Sequence, residues 1–212
     1  MEIKLELQQV VRAGYSIELF VPDAQEVQER YFQQKKTKDD IPFPHWTRLW
    51  PSAFALADFI HQHSGIVENK NVLELAAGLG LPGLVAARYA KSVCCSDYLE
   101  ESVLTMDRSA MHLQLSNLTC RVLDWNNLPE DLTTEVLLVS DINYDPEQFD
   151  RLYLVLQGFL HKGTTILLSS PQRLMAKPFI ERLLPDCKEQ YETLVEFEGH
   201  QVMISLLVIR EP

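Results

Sequence analysis

Two short stretches hold the residues best placed to do chemistry. Residues 72–83 read V-L-E-L-A-A-G-L-G-L-P-G, and Asp141-Ile142-Asn143-Tyr144 follows the apolar run V-L-L-V. The first contains G-x-G-x-x-G over Gly78, Gly80 and Gly83, and glycine lets a backbone turn tightly and approach a ligand closely. Dinucleotide sites share this pattern, so a nicotinamide cofactor is one reading. Glu74 opposes it, because a carboxylate at the strand end just before the loop would repel a pyrophosphate and favour a cation. S-adenosylmethionine carries a sulfonium and an ammonium and no phosphate, so it is the expected occupant.

Further acids stand where adjacent strands should end. Asp97 closes S-V-C-C-S-D, a place for a carboxylate that accepts from both ribose hydroxyls, and it would equally cap a helix starting at Leu99. Asp124 can accept from an adenine amino group, and Trp125 can stack on the base or simply pack. Asp141 and Tyr144 would project at the carboxyl end of the central strand, where open α/β sheets bind ligands. Asn143 could line the same pocket, and Arg173, in Ser-Ser-Pro-Gln-Arg after the fifth strand, could face substrate or solvent. The six histidines include no cluster with metal-ligand spacing, and His61 and His63 point different ways on a helix. No nucleophilic triad is evident.

These residues sit on a chain of 212 with 46% hydrophobic and 23% charged residues, a composition that suits a packed core. One domain over 46–212 is expected, with an extension over 1–45. The formal net charge of -11 argues against nucleic acid as a partner and for basic protein segments. Lys35, Lys36 and Lys38 run into Asp39 and Asp40 and read as a solvated loop. The four cysteines show no C-x-x-C pairing, and Met1 leads into Glu, Ile and Lys rather than an apolar segment. A reduced, cytoplasmic setting without membrane anchor is expected, the oligomeric state being open.

The positioning elements follow from periodicity. Residues 3–22 alternate apolar and polar around Ala13-Gly14, a hairpin; 25–40 are polar and charged, a connector; 51–63 carry apolar residues at helical spacing. Strands are expected near 71–76, 92–97, 119–123, 135–141 and 163–169, and helices near 82–90, 99–113, 146–160 and 174–184. This alternation predicts a doubly wound, mostly parallel, Rossmann-like α/β sheet. Residues 191–197 and 201–209 are β-rich runs joined by Glu198-Gly199-His200, too short for a parallel crossover, so the sheet should end in an antiparallel hairpin.

Taken together, E-L-A-A-G-L-G, S-D-Y, L-D-W and S-D-I-N-Y resemble the class I, seven-strand methyltransferases, in the group called methyltransferase family 16, over residues 46–212. The resemblance implies S-adenosylmethionine as cofactor. It carries cofactor contacts over to Trp50, Ala76, Ala77, Gly78, Gly80, Asp97, Trp125 and Ser140; Glu74 and Asp124, from the strand-end reading above, and Tyr98, in S-D-Y, complete the expected cofactor set. Ala76 departs from the glycine many members carry. Asp141 to Tyr144 resembles the D/E-x-x-Y/F motif of the lysine methyltransferases and lacks the prolines of D-P-P-Y, which implies a flexible amine held by Asp141 and walled by Tyr144. A protein with an exposed lysine is the implied partner; a small-molecule acceptor, another nitrogen, or cofactor binding without turnover are the alternatives.

Overall fold

The computed structural model describes residues 3–38 and 41–211. The readings of Met1 as a start without an export signal, and of Asp39-Asp40 as the end of the basic loop, lie outside the described residues. The N-terminal hairpin pairs β1 (Leu5–Arg12) with β2 (Tyr15–Pro22), turning at Ala13-Gly14 with Gly14 in the left-handed region. Tyr15, Ile17 and Leu19 of β2 are buried. Arg12 and Tyr15 both bond the Asp58 carboxylate, so the hairpin is tied to the first core helix.

The connector expected over 25–40 is largely a helix, α1 (Ala24–Lys35). Asp23 caps it by accepting from the N–H groups of Gln25 and Glu26, and Val27 and Tyr31, four apart, bury one narrow face. Two buried residues in twelve were too thin a stripe to show through the polar sequence.

The core is a seven-stranded sheet of β3 (Asn71–Leu75), β4 (Ser92–Asp97), β5 (Leu118–Val122), β6 (Val136–Ser140), β7 (Thr165–Pro171), β8 (Cys187–Phe197) and β9 (His200–Ile209). Its spatial order is β5-β4-β3-β6-β7-β9-β8, parallel except for β9, which pairs antiparallel with β7 and β8. Glu198 and Gly199, both at positive φ, make the tight turn between the last two strands. The expected antiparallel ending and doubly wound sheet are both present.

Helices α2 (Pro51–Gln62), α3 (Leu81–Ala86) and α4 (Glu100–His112) cover one face with the hairpin; α5 (Phe149–Leu160) and α6 (Lys177–Leu183) cover the other. Burial on both faces explains why residues 136–139 of β6 are continuously apolar and wholly inaccessible. Along β3 the side chains alternate: Val72 joins the α2–α4 side, while Leu73 and Leu75 join the α5–α6 side. Glu74 therefore points into the first layer with Val72. Among the described residues no helix is long and apolar enough to cross a membrane, and no group of His, Cys, Asp or Glu could hold a metal ion.

Candidate active site

The chain leaves β3 toward β4 on one side and β6 lies on the other, so the carboxyl ends of these strands open a crevice at the point where the winding reverses. The turn after β3 is made by Ala76, Gly78 and Gly80, all in the left-handed region with φ of 50°, 58° and 72°. At Ala76 the β-carbon makes that conformation cost about 1–2 kcal/mol, which gives the departure from glycine its physical meaning. The loop is cross-braced: Gly78 N–H donates to Asp97 Oδ2 at 3.0 Å, and Ser102 Oγ donates to the Gly78 carbonyl at 2.6 Å. The second Asp97 oxygen accepts from Leu99 N–H at 3.1 Å. Asp97 thus ties the loop to Leu99, the residue before α4, while facing the crevice; it is not the N-cap of that helix, a position taken by Leu99 with no side-chain cap. Burial pushes its carboxyl up, opposed by the N–H groups of Leu99 and Gly78.

A cavity of about 200 Å³ occupies this crevice. Ten of the expected site residues line it: Trp50, Ala76, Ala77, Gly78, Asp97, Tyr98, Trp125, Ser140, Asp141 and Tyr144. Three do not. Gly80 sits behind the loop at the start of α3, where an added β-carbon would lie 2.9 Å from Met106 Sδ. Asp124 is exposed and spends its carboxylate on Asn126 N–H at 2.8 Å.

Glu74 is the larger correction. It is 0% exposed and lies under the loop, with Oε2 accepting from Gly83 N–H at 2.8 Å in the first turn of α3 and Oε1 unpartnered. Burial pushes its carboxyl up to about 8. It braces the loop from behind and offers no fixed negative charge to a ligand in the crevice at neutral pH.

Asp141 follows β6 with φ of 54°, and its N–H donates to the Ser169 carbonyl of β7 at 2.9 Å. Arg173, just past β7, reaches across to it: Nη1 donates to Oδ1 at 2.5 Å and Nη2 to Oδ2 at 3.1 Å, a two-pronged ion pair beside the cavity. Tyr144 is 40% exposed, its ring 5.0 Å from that of His45. Burial raises the Tyr144 hydroxyl, and nearby Asp97, Asp145 and Asp141 add to that. Asn143 turns inward instead, wholly buried, accepting from Ser170 Oγ at 2.9 Å.

Sequence reasoning missed the near wall. Phe43, His45, Trp46, Arg48 and Leu49, from the segment before α2, all line the cavity. The cue was present in the Pro42-to-Trp50 aromatic run. The Trp46 indole is buried with its N–H lacking an acceptor among the described residues. His45 is lowered by burial, which outweighs the opposing pull of Asp141.

A family model, Methyltransf_16, lysine methyltransferase, matches residues 2–185. The chain belongs to this family. Its members use S-adenosylmethionine, and membership removes the nicotinamide reading of the glycine loop. The chain is similar to the human histone-arginine methyltransferase METTL23, 30% identical over 147 residues, which cover 64% of this chain and 75% of that protein. It is also similar to the protein N-lysine methyltransferase METTL21A of Xenopus tropicalis, 32% identical over 136 residues, covering 59% and 60%. The chain spans about half the length of the frog, rat and mouse METTL23 proteins it matches. Magnesium protoporphyrin IX methyltransferase (ChlM) of Synechocystis PCC 6803, solved with bound S-adenosylmethionine, shares the fold with a TM-score of 0.58 at 11% identity, over 88% of this chain and 97% of that one.

Proposed function

We propose that this methyltransferase-family chain moves a methyl group from S-adenosylmethionine to the ε-amine of a lysine in a partner protein. The observation that carries the choice of acceptor is the charge of the cavity wall. Its acceptor-side carboxylate, Asp141, is already matched by Arg173, so that pair offers no net negative charge to a cationic acceptor. An acceptor that must arrive and remain cationic is disfavoured there. A lysine amine can shed its proton, whereas a guanidinium does not.

When bound, S-adenosylmethionine supplies a methyl carbon activated by its sulfonium. The residues present fit it. Asp97 uses two carboxylate positions on backbone N–H groups and has others free for ribose hydroxyls, Trp125 offers a face to the base, and Ala76, Ala77 and Gly78 let the backbone approach. Trp46 brings a donor that lacks an acceptor. Tyr98, Trp50 and Ser140 complete the cofactor side. Asp141 orients the acceptor nitrogen, and Tyr144 with His45 forms the aromatic collar that strips water from the lysine stem and lowers the amine's affinity for its proton. The collar continues outward from His45 to Phe43 and Tyr31 of α1, so residues 1–45 serve as an accessory to the domain over 46–212. All four cysteines are free thiols, which supports a reducing, cytoplasmic setting.

Arginine is the second reading, favoured by the name of the human relative and by the forked way Asp141 already accepts a guanidinium. Protein extract from source cells lacking the gene, incubated with the purified protein and methyl-labelled S-adenosylmethionine, separates the two. Acid hydrolysis should release labelled methyl-lysines. Label only in methyl-arginines would overturn the lysine assignment, and label only in metabolites would overturn a protein acceptor.

A further inference from the structure

Resting on the lysine reading, we propose that Arg173 is a positioning residue of the transfer site: its guanidinium fixes both oxygens of Asp141 and cancels their charge, so the acceptor amine meets a neutral pair. Asp141 is anchored through its backbone in a left-handed conformation beside β7, and its side chain is only 10% exposed. A planar fork is the donor that immobilises a carboxylate in that setting. With two positions of the carboxylate taken by Arg173, the remaining lone pairs are left to aim the amine.

Charge cancellation has a consequence for chemistry. Transfer needs a free lone pair on nitrogen: that pair forms the new N–C bond as the C–S bond breaks, its electrons staying on sulfur, and the methylated ammonium then sheds a proton to water. A lone carboxylate beside the amine would hold it in the protonated, unreactive form. The other groups facing this point leave the task to Arg173. Arg48 is committed to Glu198 at 3.2 Å, Asp97 to two backbone N–H groups, and Asp145 to Glu147 N–H. His45 is shifted toward its neutral form, and Tyr98 and Tyr144 hold their protons past the ordinary phenol range.

The test is the pH dependence of single-turnover methyl-lysine formation, with enzyme and S-adenosylmethionine in excess over the protein extract described above. Arg173→Met should move the rising limb up by about one pH unit or more. Arg173→Lys, which keeps the charge and loses the fork, should leave the limb near its wild-type position while slowing transfer about tenfold. Asp141→Asn, which leaves Arg173 unmatched, should move the limb down. S-adenosylhomocysteine affinity, by calorimetry, should stay within about twofold in all three variants. An Arg173→Met limb that overlays the wild type, or an Asp141→Asn limb that does not fall, overturns the proposal; the second decides alone if Arg173→Met does not fold. A wild-type product containing only methyl-arginine would instead strike the lysine reading itself.

Discussion

The two acids of the cavity are held in opposite ways. Asp97, at the end of β4, is fixed by main-chain N–H groups from the loop and from Leu99 just before α4, and stands 4% exposed. Asp141, at the end of β6, is held by a side chain from 32 residues further along the sequence. The proposed cofactor wall is therefore braced by backbone at the loop, with Trp50, Tyr98 and Trp125 adding side chains to its lining. The acceptor wall is made of side chains, including the Tyr144–His45 collar and Arg173, and can be altered one residue at a time. Substitutions on the first wall should break folding or binding outright, and substitutions on the second should give graded effects on transfer.

The sharpest break belongs to Gly83. A β-carbon there would lie 2.3 Å from Cys95 Sγ and 2.6 Å from Glu74 Oε2, both in fully buried side chains with nowhere to retreat. Gly83→Val should cost about 3 kcal/mol or more in urea unfolding. Gly158 in α5 has open space around it, so Gly158→Ala should instead stabilise by about 0.5–1 kcal/mol. Equal effects at the two positions would erase the distinction between the braced loop and an ordinary helix surface.

Glu74 comes next, through pH. Its carboxyl titrates near 8 in the folded protein against 4.5 when free, chiefly because burial disfavours the charge. The folded state binds the proton more tightly, so this contribution to stability is complete below about pH 4.5 and is lost as pH rises to about 8. Glu74→Gln should flatten that slope and be the more stable protein at pH 8, by about 2–3 kcal/mol once relaxation is allowed for. Parallel stability curves for the two proteins from pH 5 to 8 would show that Glu74 is charged under the loop.

Asp97→Ala removes the acid that braces the loop and lines the cavity, where it is proposed to meet the ribose. Calorimetric titration with S-adenosylhomocysteine should show affinity reduced about 30-fold, roughly 2 kcal/mol. Full affinity in this variant would mean that Asp97 serves only the backbone.

What could be read in advance follows the same division between the walls. The α/β alternation, the reversed final strand and the strand-end positions of Asp97 and Asp141 are local signals, carried by period, apolar runs and turn length. Glu74 was legible as a residue at the loop but not in its direction, because one step of strand alternation decides whether a side chain faces ligand or core. Helix α1 was hidden since Val27 and Tyr31 alone anchor it, with its start set by the Asp23 cap. Arg173 was visible as a residue after β7, yet its partner depends on β6 and β7 being neighbours with Ser140 opposite Ser169. Phe43, His45 and Trp46 belong to a segment without regular periodicity, where only packing shows that the rings gather.

The smallest expected effect tests whether the acceptor wall acts through shape or through a polar atom. Tyr144 touches His45 ring to ring at 5.0 Å, and no hydrogen bond to its hydroxyl occurs among the described contacts. Its contribution should therefore reside in the ring, which presents a flat face to a passing lysine stem and to the methylated cation that leaves. Tyr144→Phe keeps that face and should change the rate of methyl-lysine formation by less than about threefold, under 1 kcal/mol. Tyr144→Ala opens the collar to water and should slow transfer about tenfold while leaving S-adenosylhomocysteine affinity near the wild-type value. If Tyr144→Phe were as slow as Tyr144→Ala, the hydroxyl would be the working part, and the acceptor wall would hold the amine through an N–H donated to the Tyr144 oxygen as well as through Asp141.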